Sequence, residues 1–316
     1  MTVATRSRKT QQQEQQLQPK PSNDNEITYS VYPSHCLGEL QRRYGSHNVK
    51  LIHMVRHAEG THNVDRRYND PIHLDARLTN KGIDQCHQLA QLTKTTIVPP
   101  HDCTVLTSPM TRCVQTALLS FPHLVSAVSH RPVEFIALEG LRETVNYQCD
   151  RRRSILELAK EFPQIRWDED DPYYNDDGSN VDDDGIWNYY QQWLGTEWHT
   201  HRESAQLTVV MDRARMALDY MYRRVLTSQV VICTHSAFLR CIVNWGQTGG
   251  IPRLMPQVLD ETFDPTTHIP LFRYCASINN DDDDDDDDTT FEQEMRRDYD
   301  NCELRSFVLV RPQLNE

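Results

Sequence analysis

The sequence predicts a three-layer α/β/α sandwich with a mainly parallel sheet, and three observations carry the prediction. Short apolar, β-branched runs alternate with longer segments of helical periodicity through the middle of the chain. Several of those runs break at a polar residue and pass straight into a helix. The residues at three such breaks, His57, Arg112 and His235, carry chemistry, as expected where parallel strands end at their carboxyl edge.

The elements follow in order. A strand over 51–56 delivers Arg56 and His57 into the tight polar turn Ala58-Glu59-Gly60-Thr61-His62-Asn63. Thr79 or Asn80 caps a helix over 80–97 whose apolar side is Ile83, Cys86, Leu89, Ala90 and Ile97. A strand over 104–107 ends at Ser108, and Pro109 opens a helix over 109–120 with Arg112 one turn in. Strands over 133–137, 229–234 and 303–310 and helices over 152–161, 204–226 and 236–245 complete the pattern, with His235 at the last strand-to-helix junction.

The modest apolar fraction, 38% of 316 residues, has a local cause. Residues 1–27 are polar and glutamine-rich and are expected to form a disordered tail before a single domain over 28–316. A second disordered segment is expected over 279–290, where Asp281 to Asp288 carry −8 of the net charge of −13. An acidic loop over 167–184 has no regular ligand spacing and reads as solvated surface. The remaining −5 argues against nucleic-acid binding. Without a long apolar run, neither a membrane span nor a secretory signal is expected. Nine scattered cysteines without a Cys-x-x-Cys pair point to reduced thiols and a cytoplasmic protein.

An imidazole beside a guanidinium can attack phosphorus, because the arginine holds the phosphate oxygens and offsets their charge. Arg56-His57 is such a pair. Three further segments agree with it: Asp75-Ala76-Arg77-Leu78-Thr79-Asn80-Lys81-Gly82-Ile83-Asp84-Gln85, Ser108-Pro109-Met110-Thr111-Arg112-Cys113-Val114-Gln115-Thr116-Ala117, and Thr234-His235-Ser236.

With these four segments in collinear order over about residues 48–245, the chain resembles the histidine phosphatase superfamily, or phosphoglycerate mutase-like proteins. Cys149-Asp150-Arg151-Arg152-Arg153 and Thr234-His235-Ser236-Ala237-Phe238-Leu239 are similar to a eukaryotic branch of phosphoglycerate mutase-like phosphatases. Ala58 and Ser236 stand where the superfamily usually has glycine, so a positive φ there would be mildly strained.

The resemblance implies a metal-independent phosphomonoester hydrolase that acts through a phosphohistidine intermediate on a small phosphorylated metabolite. His57 is the implied nucleophile; Arg56, Arg112 and His235 surround the phosphoryl group, Asn63 adds a donor, and Arg67 reaches the distal part of the substrate. Glu143, in Leu141-Arg142-Glu143, is the implied general acid, with Glu139 as the competing candidate. Neither a cofactor nor a metal is expected, and oligomeric state is open. His53, His62 and His73 could suggest zinc but lack a recognisable ligand set. The alternatives are a 2,3-bisphosphoglycerate-dependent phosphoglycerate mutase and a catalytically weak scaffold that senses an anion.

Overall fold

A computed structural model of the chain describes residues 28–97, 102–125, 133–144, 147–167, 207–244, 271–278 and 285–311. Its strands are β1 (Tyr29–Pro33), β2 (Val49–Arg56), β3 (Cys103–Thr107), β4 (Phe135–Ala137), β5 (Arg166–Trp167), β6 (Gln229–Thr234), β7 (Phe272–Tyr274) and β8 (Leu304–Val310). Helices α1 (Leu37–Tyr44), α2 (Thr61–Asp65), α3 (Asn80–Thr96), α4 (Thr111–Ser120) and α5 (Pro122–Val125) are followed by α6 (Ile155–Glu161), α7 (Leu207–Arg224), α8 (Ser236–Asn244) and α9 (Asp285–Arg296).

The sheet runs in the order β5-β4-β3-β6-β2-β8-β1-β7. β2, β6, β3, β4 and β5 are mutually parallel, as are β1 and β7, while β8 is antiparallel to both β2 and β1. Alternation along the strands sorts the core into two faces. Ile52, Met54, Leu106, Val230 and Ile232 pack under α7 and α8. Val55, Val105, Val231 and Cys233 pack under α3 and α4 through Cys86, Leu89, Cys113, Val114 and Ala117. Helices cover both faces, so the layers are those expected.

Four expectations are corrected. β1 and β7, absent from the sequence reading, are short strands at one end of the sheet, with β7 at the edge, and their order comes from pairing with β8 and with each other. Pro109 precedes helix α4, which starts at Thr111, because the helix is capped from a distant segment: Asp75 Oδ1 accepts the Thr111 N–H at 2.8 Å. The acidic insertion is helical from Asp285, and Met295 is buried while Phe291 packs on the same core. Finally, neither Ala58 nor Ser236 adopts a positive φ; among non-glycine residues Arg66, Asp75 and Cys302 do. Trp167 ends β5, while the rest of the expected acidic loop and residues 1–27 lie outside the described residues.

All nine cysteines are free thiols. No helix among the described residues is long and apolar enough to cross a membrane.

Candidate active site

The parallel pairing of β2 with β6 puts Arg56 opposite Thr234, so His57 and His235 emerge side by side from the same sheet edge. Their rings meet edge to face with centroids 5.1 Å apart, and both are buried. The His57 backbone is held at both ends. Its N–H donates to the Thr234 carbonyl at 2.9 Å, and its own carbonyl accepts from Asn301 Nδ2 at 3.1 Å.

The His57 side chain has a defined tautomer. Nδ1 lies 2.7 Å from the Ala58 carbonyl, which can only accept, so the proton sits on Nδ1 and Nε2 keeps its lone pair. Burial, with Arg112, His62 and Arg56 adding positive charge, drives its pKa well below the ordinary histidine value. The ring is therefore neutral at physiological pH, as a nucleophile must be.

Arg112, buried on α4, donates Nη1 to the Cys149 carbonyl at 2.7 Å, lies 3.5 Å from Asp150, and donates Nε to His235 Nδ1 at 3.3 Å. His235 Nδ1 thus accepts, and Nε2 donates to Ser108 Oγ at 2.7 Å. Both nitrogens of His235 are engaged, so it reaches a phosphoryl group only by exchanging one of these partners. Arg56 donates Nη1 to the Tyr299 carbonyl at 2.7 Å, while its buried Nε has no hydrogen-bond partner among the described residues. Burial lowers its pKa, and the nearby Glu143 charge opposes that shift.

Glu143 lies over the start of α8. Oε1 accepts the N–H groups of Phe238 and Thr144, each at 2.9 Å, and Oε2 accepts that of Ala237 at 3.2 Å. Its loop is held from beneath by Arg213, fully buried on α7, which donates to the carbonyls of Gly140 and Arg142 at 3.0 and 2.8 Å. Glu139 has a different environment: it is buried between Arg152 at 3.0 Å and Arg142 at 3.7 Å.

Asn63 Oδ1 accepts the Gly60 N–H at 3.0 Å, which leaves its amide NH2 for a ligand. Arg67 is not brought into the cluster. Its side chain is 62% exposed and paired with Asp65 and Asp70 at 3.0 and 3.1 Å.

The other motif residues shape the turn after His57. The Glu59 carbonyl accepts the Thr79 N–H and Gln85 Oε1 accepts the Glu59 N–H, both at 2.9 Å. Thr116 Oγ1 accepts the Ala58 N–H, and Gln115 Oε1 that of Leu78, both at 3.0 Å. Asp75 binds Thr111 and also accepts from Arg153 Nε at 3.0 Å, which fixes the start of the helix bearing Arg112.

Sequence reasoning missed Arg213, Asn301 and the Tyr299 carbonyl, all distant in sequence from the residues they hold and without a motif of their own, and it gave Ser108 no contact with His235. It also read His62 as a loop or core histidine, whereas its ring lies 5.6 Å from that of His57. The three histidines of the suspected zinc cluster have separate surroundings: His53 bonds Ser306 at 2.8 Å, His73 bonds Asp65 at 3.0 Å, and His62 faces His57.

Residues 52–185 match the family model described as histidine phosphatase superfamily (branch 1). A phosphoglycerate mutase-like protein of Arabidopsis thaliana is 34% identical over 149 aligned positions, covering 39% of this chain and 55% of that relative. A protein of Schizosaccharomyces pombe named as a probable phosphatase is 30% identical over 118 positions, covering 36% of this chain and 50% of that protein. The chain thus spans about half the length of each of these two relatives. The solved structure of an ecdysone phosphate phosphatase from Bombix mori superposes with a TM-score of 0.40 at 16% identity, covering 72% of this chain and 87% of that one. With its motifs gathered at one sheet edge, the chain is similar to the histidine phosphatase superfamily over the segment that carries most of them.

Proposed function

We propose that the protein is a phosphomonoester hydrolase that works through phosphohistidine at His57 and acts on a small phosphorylated metabolite. The observation that carries this reading is the Nδ1 hydrogen bond to Ala58 at 2.7 Å. It leaves a neutral imidazole with one free lone pair beside the buried Arg112 and the half-buried Arg56.

In the first step His57 Nε2 forms a bond to phosphorus while the ester P–O bond breaks, and its electron pair leaves with the alcohol oxygen. Glu143 supplies the proton that this oxygen takes up. In the second step water forms a bond to phosphorus, the P–N bond breaks, and Glu143 takes the water proton. Arg56 and Arg112 hold charge against the equatorial oxygens, and Asn63 adds a neutral donor. His235 lies beside His57 and joins these ligands on releasing Ser108. Its present bonds to Arg112 and Ser108 keep both partners in register before substrate arrives.

Rapid acid-free quenching during turnover of p-nitrophenyl phosphate tests the reading. The expected result is a base-stable, acid-labile phosphoramidate on His57, absent in a folded His57→Ala variant. Label on a serine or cysteine instead would overturn the mechanism. Turnover should also survive EDTA and fall with vanadate, whose trigonal-bipyramidal form matches the transferring phosphoryl group.

A further inference from the structure

A file of three aromatic rings starts at the nucleophile and is not used by the mechanism above. His62 lies 5.6 Å from His57, Tyr68 lies 6.2 Å from His62 edge to face, and Tyr147 lies 5.3 Å from Tyr68 at a 34° tilt. The file and the phosphate-binding arginine share one frame. The Tyr68 carbonyl accepts the Cys149 N–H at 3.1 Å, and the Cys149 carbonyl accepts Arg112 Nη1 at 2.7 Å. The Tyr147 N–H donates to Asp150, which also faces Arg112. A phosphate held by Arg112 therefore has the rings at a fixed offset from it.

His62 is the polar member of the file. Its Nδ1 is buried without a hydrogen-bond partner among the described residues, pressed so closely on Gly60 that a Cβ there would come within 2.7 Å of it. A buried N–H without an acceptor costs about 1–3 kcal/mol, so the proton belongs on Nε2, which makes no hydrogen bond among the described residues. Burial and the Arg112 charge hold the ring's pKa down to about 2, so it is neutral. It is an uncharged donor beside the nucleophile.

Two of the groups flanking the file are paired with aspartates. Arg67 is paired with Asp65 and Asp70, and His73 also bonds Asp65. An alcohol carrying a carboxylate would enter beside two aspartates. A flat, uncharged one would stack. The same excursion also exposes the apolar side chains of Val64, Ile72 and Leu74.

We infer that His62, Tyr68 and Tyr147 form the leaving-group subsite, which takes the monoester of a planar, uncharged alcohol and donates His62 Nε2–H to the ester. This rests on the phosphatase reading for its chemistry but not for its binding, so the test measures binding. Titration calorimetry of the full chain with benzylphosphonate and with methylphosphonate compares two phosphate mimics that differ by one ring. Benzylphosphonate should bind tighter by about tenfold. Tyr68→Ala and Tyr147→Ala should each remove most of that difference while leaving methylphosphonate within about twofold. His62→Phe, which keeps a ring and loses the donor, should weaken both ligands alike, and His62→Gln less so. Nitrogen NMR of the His62 ring, independent of any variant, should place its proton on Nε2. Equal affinity for the two phosphonates, tyrosine variants that weaken both equally, or a proton on Nδ1 would overturn the subsite. Ring-dependent binding without any turnover or trapped phosphohistidine would instead overturn the phosphatase reading and leave the subsite standing.

Discussion

Gly82 approaches Glu59 so closely that a Cβ on Gly82 would lie 2.2 Å from the Glu59 carbonyl oxygen. A glycine one turn into a helix is thereby tied to the turn that follows His57. Thr79 caps this helix through the Gly82 N–H at 3.0 Å and donates its own N–H to that same Glu59 carbonyl.

Gly82→Ala should therefore displace the turn at Ala58-Glu59-Gly60. Overpacking of this kind costs about 1–3 kcal/mol. Thermal denaturation should show the loss, and p-nitrophenyl phosphate turnover should fall by about tenfold or more through misplacement of His57. Unchanged melting temperature and rate would mean that the turn yields freely.

The two candidate acids should separate by kind of defect. Glu139→Gln removes the buried carboxylate that pairs with Arg152 and Arg142, at a cost of about 1–3 kcal/mol. Its residual activity should not depend on leaving group. Glu143→Gln should slow alkyl phosphates far more than nitrophenyl phosphate, because only the alkoxide needs a proton to depart. Leaving-group dependence in the Glu139 variant would reassign the acid.

Asp75 has φ 49° and couples α4 to Arg153. Asp75→Asn tolerates that backbone but loses the ion pair, so it should destabilise by about 1–3 kcal/mol and raise KM more than it lowers kcat. Arg112→Lys should cost nearly as much activity as Arg112→Ala, since an ammonium cannot serve Cys149, Asp150, His235 and a phosphate together. Steady-state kinetics with matched denaturation curves would check both.

Stability should fall as the solution is acidified below about pH 6.5. His53 is buried in β2, and burial lowers its pKa to about 4 against an ordinary value of 6.5. Between those values the unfolded chain binds the proton and the folded one does not, so stability is complete above 6.5 and is lost toward 4. The full shift corresponds to roughly 3 kcal/mol. His53→Gln, away from the reacting groups, should show a shallower dependence of melting temperature on pH over that window. Parallel curves for the two proteins would assign the acid sensitivity elsewhere.

The sequence by itself determined the layer order, the main strands and helices, and the placement of Arg56, His57, Arg112 and His235 at or just beyond strand ends. Each depends on local information: a run of β-branched residues, a helical period, a polar break at a strand end. It also brought Asp75, Gly82, Gln85 and Thr116 to notice as motif members without saying why those types are needed. Tertiary structure decided that. Gly82 must be bare because a carbonyl 23 residues earlier in the chain presses on it, and Asp75 must accept because it caps a helix that starts 36 residues later. It likewise decided that Glu139 is an ion-pair partner, that Arg67 faces its own aspartates, and that His62 faces the nucleophile. Arg213, Tyr299 and Asn301 had no local signal at all, because a buried donor or a backbone carbonyl acquires its role only when the chain returns to meet it.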